Sequence, residues 1–153
     1  MTLEKYVLCT ICILSFTFCS KPVRTAVISE PVRFVSEVAQ KSILVTAEGV
    51  GTNAVEAIRD AEITVIRNLL YVGIPNSQQY RPWVAEGKAI EDSKSTFFTP
   101  FFQQNQYKDF IISSKCVENG GKGSRVFLVD IEINTFSLRA HLERNNIIRK
   151  FGL

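Results

Sequence analysis

The chain is 153 residues long and 17.2 kDa, so a single domain is the expectation and two compact domains would be cramped. Hydrophobic residues at 46% and charged residues at 22% exclude collagen-like, coiled-coil, disordered and multi-span membrane chains. A net charge of +3 with scattered Lys and Arg argues against nucleic-acid binding, and one His without clustered Cys leaves a zinc site short of ligands.

The N-terminus has a short charged start, with Glu4 and Lys5, and then an uncharged run from Val7 to Phe18. A spanning helix needs about 20 apolar residues, so this shorter run fits the apolar stretch of a secretory signal peptide. Polarity begins at once after Cys19, with Ser20 and Lys21. The ending Leu14-Ser15-Phe16-Thr17-Phe18-Cys19 resembles a bacterial lipoprotein signal, cut before a Cys that is then acylated. Phe16 and Phe18 stand where that signal usually carries a Leu-like and a small residue.

Residues 1–18 are therefore read as a lipoprotein signal peptide and Cys19 as the lipidation site, with a retained anchor or ordinary secretion as alternatives. Acyl chains contributing about 0.8 kcal/mol per buried methylene would hold the chain on a membrane. The expected place is the outer membrane, facing the periplasm. Acylation of Cys19 leaves Cys116 as the one thiol of the mature chain, and without it a Cys19–Cys116 disulfide becomes available.

Residues 19–40, with Pro22 and Pro31, read as a tether that gains at most a helical turn at Phe34–Gln40, and residues 41–153 as one α+β domain. Ile43 to Glu48 alternates and is β-branched, a strand with Ile43, Val45 and Ala47 on one face. Gly49-Val50-Gly51 breaks it. A helix starts at Asn53, whose side chain can cap an orphan N–H with Glu56 three residues on. Its apolar stripe is Ala54, Ile58, Ala61, Val65, Leu69 and Val72, with Arg59, Asp60, Glu62, Arg67 and Asn68 mainly off it, and Gly73 and Pro75 end it.

Ile74 to Lys94 reads as a loop, and Ser95 as the cap of a short helix carrying Phe97, Phe98, Phe101 and Phe102, interrupted by Pro100. Tyr107 to Val117 alternates, with Phe110, Ile112, Ser114 and Cys116 on one side. Asn119 to Gly123 forms a hairpin loop, and Arg125 to Asn134 returns as a strand with Phe127, Val129, Ile131 and Ile133 inward. A last helix runs from Thr135 or Ser137 to about Arg144. The order β-α-α-β-β-α predicts a small two-layer sandwich, an antiparallel sheet with helices on one face.

The chemistry-bearing motifs are weak. Gly49-Val50-Gly51-Thr52-Asn53-Ala54 fits the dinucleotide fingerprint G-x-G-x-x-A, but no second parallel strand with a terminal acid follows the helix. It reads as a glycine turn. His141, between Arg139 and Arg144, reads as a solvated surface residue, and no nucleophile elbow accompanies it. Asp130 and Glu132 share the outer face of a strand and serve solubility better than glycoside hydrolysis. Neither a catalytic residue, a metal nor a cofactor is expected.

Val45-Thr46-Ala47-Glu48-Gly49-Val50-Gly51, followed by Glu56 to Glu62, resembles the strand–Gly–helix opening of the flagellar assembly protein T N-terminal domain and related small envelope lipoproteins. Leu69 to Ser77 and Asn145 to Gly152 are also similar to small Gram-negative envelope lipoproteins. The resemblance covers about half of the mature chain, and it implies a membrane-anchored accessory or assembly protein with an α+β fold. It carries no catalytic residue over.

The expected function is a non-enzymatic envelope lipoprotein that serves as an assembly subunit of a secretion, injection or motility complex. Its partners would be the membrane, through Cys19, and other envelope proteins. The expected interaction surface comprises Trp83, Phe97, Phe101, Phe102, Arg149 and Lys150. A periplasmic binding module for a small ligand or cell-wall glycan, using Trp83, is the alternative, and a small hydrolase is the third reading.

Overall fold

The computed structural model describes residues 31–39, 41–119 and 124–150. The signal peptide, Cys19 and most of the tether lie outside them, as does most of the Asn119–Gly123 loop. Four strands, β1 (Val32–Ala39), β2 (Ser42–Val50), β3 (Ile111–Asn119) and β4 (Val126–Asn134), form one antiparallel sheet in the order β1-β2-β4-β3. Helix α1 (Ala54–Tyr71) covers one face. A turn of 3-10 helix (Gly87–Ala89), α2 (Ile90–Ser93), α3 (Ser95–Gln103), a second 3-10 turn (Gln106–Phe110) and α4 (Thr135–Arg144) complete the fold. The α+β architecture is the expected one. The tether reading is corrected at residues 32–39: they form an edge strand paired with β2, rather than a helical turn.

β2 and β4 pair without a break from Ser42↔Asn134 to Val50↔Val126. Ile43, Val45, Ala47, Val129, Ile131 and Ile133 all point into the core, as their period-2 spacing requires. Both edge strands are irregular. β1 shifts register between Phe34 and Ser36 and between Glu37 and Ala39; β3 shifts between Ile111 and Ser113 and between Cys116 and Glu118. The shift at Ile112 moves the side-chain phase by one. Ile111 therefore faces Ile133 and packs against the core, while Ile112, expected on one side with Phe110, Ser114 and Cys116, is 54% exposed.

Helix α1 begins as its residues dictate. The Asn53 side chain accepts from the Glu56 N–H at 3.0 Å, and the Glu56 carboxylate reaches back to the N–H and hydroxyl of Thr52. Those bonds hold Glu56 below the usual carboxylate range. The buried face is wider than the expected stripe: Ala57, Ala61, Glu62, Val65, Ile66, Leu69 and Leu70 are inside, whereas Ala54 and Val72 are exposed. Each fully buried Leu or Ile contributes roughly 1.5–3 kcal/mol relative to its exposed state. The close approach of α1 to the sheet depends on Gly49, because a Cβ there would collide with the Ala57 carbonyl.

Past Gly73, at φ +90, the loop folds back on the end of α1: the Trp83 and Val84 N–H groups donate to the carbonyls of Leu69 and Leu70. In α3, Pro100 cannot donate to the preceding turn, yet the nine-residue helix persists because Phe98, Phe101 and Phe102 are buried against the core. Phe97 stacks on Phe101 at 5.2 Å and Phe98 on Phe102 at 6.0 Å. Asn134 caps α4 by accepting from the Ser137 N–H at 2.9 Å, and Ile147 and Ile148 tuck back against the core beyond the helix end.

Candidate functional site

The fold brings the loop around Trp83 and the segment after α4 to the same place. Trp83, Ala85 and Glu86 come from the loop, Arg139 from α4, and Ile147 to Lys150 from the C-terminal segment; together they line a cleft of about 490 Å³. Trp83 is fixed in it. Its backbone N–H is held by Leu69, its indole Nε1 donates to Gln79 Oε1 at 3.0 Å, and the Arg139 guanidinium lies 5.8 Å from the ring centre. Arg139 is itself paired with Glu143 one helical turn on, at 3.1 Å.

Two neighbouring depressions share lining residues with the cleft. A shallow depression of about 380 Å³ shares Arg139 and leads to Phe136, which is 60% exposed. A second, of about 490 Å³, shares Glu86 and the Ile147–Lys150 wall and leads to Ile90 and Lys94. The result is a groove in which Trp83, Ala85, Ile147 and Ile148 stand among the charged side chains of Glu86, Arg139, Arg149 and Lys150. Among the described residues, no ion pair engages Arg149 or Lys150.

The residues expected to form an interaction surface divide. Trp83, Arg149 and Lys150 meet in this groove. Phe101 and Phe102 do not belong to a surface: they are 0% and 7% exposed and fill the core, because the turns of α3 set both rings beside Tyr107 of the second 3-10 turn, with Arg67 of α1 over Phe102. Phe97 is half-buried and lines a different depression, beside Lys94 and His141. Cys19 lies outside the described residues. Phe136, and the placement of Arg139 over Trp83, were missed. Their signal is local, a cation and an aromatic ring three residues apart on one helix, but only the tertiary fold lays Arg139 against Trp83.

Three other constellations have structural explanations. Before α1, the N–H groups of the glycine turn are taken by the chain's own acceptors: Thr52 donates to Glu56, Val50 to Asp60 at 2.9 Å and Gly51 to the Arg125 carbonyl. The glycines serve close packing, as expected of a turn. Asp130 and Glu132 lie on the sheet face opposite α1, accepting from Thr46 at 2.6 Å and Ser42 at 3.1 Å. His141 is not a solvated surface residue. It is half-buried, with its ring centre 5.1 Å from Phe110 and 5.6 Å from Phe97, and burial followed by the nearby Arg144 depresses its pKa against the pull of Asp109.

Glu62 is the second correction on α1, since it was expected off the buried stripe. It is 4% exposed and accepts from Ser114 at 2.7 Å and Tyr107 at 3.3 Å, with the Lys108 ammonium at 3.7 Å. Burial, then the Glu62 charge, pushes the Tyr107 hydroxyl up to about 12. With Ser114 on β3 and Tyr107 on the second 3-10 turn, the cluster clips α1 to both. Among the described residues no group of three or more His, Cys, Asp or Glu could hold a metal ion, and no helix is long and apolar enough to cross a membrane. No protein-family model, curated protein or solved structure matches the chain.

Proposed function

We propose that this protein is a non-enzymatic accessory subunit of the cell envelope, tethered through an acylated Cys19 and engaging a partner protein through the Trp83 groove. The observation that carries this reading is the meeting of Trp83 with Arg149 and Lys150 in one cleft. A rigidly held aromatic side chain flanked by cations is the composition of an interaction hot spot. Support for the anchor comes from the sequence alone: the apolar run ending at Cys19 and the likeness to small envelope lipoproteins.

The test has two parts. Intact mass of the membrane-fraction protein should show cleavage before Cys19 and acyl chains, both lost in Cys19→Ser. A photo-reactive residue placed at exposed Ala85 should crosslink one envelope protein in intact cells, and reversing the charge of Arg149 and Lys150 should abolish the product. An unacylated mass removes the tether; an Ala85 crosslink indifferent to that charge reversal removes the docking role.

A further inference from the structure

Resting on that reading, the groove's own chemistry narrows what it takes. We infer that the groove binds an extended acidic peptide segment carrying an apolar side chain, presented by the partner protein. Three observations converge on this occupant. The first is shape: the cleft shares lining residues with two neighbouring depressions, Arg139 with one and Glu86 and the Ile147–Lys150 segment with the other. A track of this kind accepts a stretch of chain, whereas a single sugar or free anion would fill only one part.

The second is charge. Arg149 and Lys150 are exposed and Lys94 stands at the far end, against Glu86 as the acid of the central cleft. Glu143, at the other end, is already paired with Arg139. The net field is positive and selects carboxylates. The third is apolar contact. Trp83, whose indole N–H is spent on Gln79, stands with Ala85, Ile147 and Ile148 among the charged side chains of the cleft. An apolar side chain fits against them, and Phe136, exposed in the neighbouring depression, offers it a second aromatic contact.

The chain has one Trp, at the centre of the groove, so its fluorescence reports binding directly. The full-length chain in detergent would be titrated with the peptide Glu-Asp-Leu-Glu-Asp-Phe-Glu, with its Gln/Asn counterpart, with polygalacturonate and with inorganic phosphate. The inference expects a saturable change with the acidic peptide, weakened at least tenfold by neutralising the peptide or by Arg149→Glu with Lys150→Glu. Raising salt should weaken it too, and Arg149→Lys should retain it. No saturable response to the acidic peptide, an equal response in the charge-reversed variant, or tighter binding of polygalacturonate or phosphate would each overturn the inference. Failure here with a persisting charge-dependent Ala85 crosslink would leave the adaptor reading intact. Success here with an unacylated mass would remove the tether and keep the groove.

Discussion

Replacing Glu62 by Ala tests whether the buried carboxylate is a structural clip. The substitution withdraws the acceptor of Ser114 and Tyr107. Tyr107 is 0% exposed, so losing this acceptor costs it roughly 1–3 kcal/mol. Ser114 is partly solvated and should lose about 1 kcal/mol. The Lys108 side chain is 51% exposed and rehydrates, so its loss adds little. The expected total is about 3 kcal/mol, read from urea unfolding followed both by far-UV circular dichroism and by Trp83 fluorescence. Glu62→Gln keeps an acceptor and should cost about 1 kcal/mol. In a double-mutant cycle, Glu62→Ala and Ser114→Ala should couple by about 1 kcal/mol. A Glu62→Ala protein as stable as the wild type, or zero coupling to Ser114, would refute the clip.

Gly49→Ala should destabilise by about 3 kcal/mol or more, since the atom it would strike is helix backbone and α1 must lift from the sheet. Gly87→Ala meets open space and suffers only its positive φ of +64, about 1 kcal/mol, so thermal melts should rank the two clearly. His141 is the chain's one His and gives a single imidazole NMR titration, whose midpoint should fall below 6.5. Because its folded pKa is the lower one, its contribution to stability is complete above the unfolded value and is lost as pH falls below it. His141→Gln should flatten that acid limb.

What the sequence disclosed followed the strength of local pattern. β2, α1 and β4 carry clean periodicities, and Asn53 and Glu56 mark a helix start without tertiary help. β1 was hidden because its two register shifts leave Val35 and Val38 half-exposed, so no alternation survives in the sequence. The same kind of shift put Ile112 out of phase at the start of β3, whereas Ser114 and Cys116 keep the expected side, opposite Ile131 and Val129. Glu62 reads as a solvent-facing helix residue because its partners lie 45 and 52 positions away. The groove was half legible: Trp83, Arg149 and Lys150 stand out by residue type, but their meeting needs the loop folded back on Leu69 and Leu70. The Phe97–Phe102 block misled in the opposite sense, since dense aromatics suit a core and a surface equally well until burial is known.

The irregular outer strands have a consequence for how this protein can associate. An incoming β-strand needs an even ladder of N–H and C=O groups, and both β1 and β3 interrupt theirs twice. The unbroken pairing is confined to β2 and β4, which are already flanked on both sides. Identical copies crowded together would thus find, among the described residues, no even edge for growing sheet onto sheet. Association through these strands gives way to contact through side chains, where charge and shape discriminate.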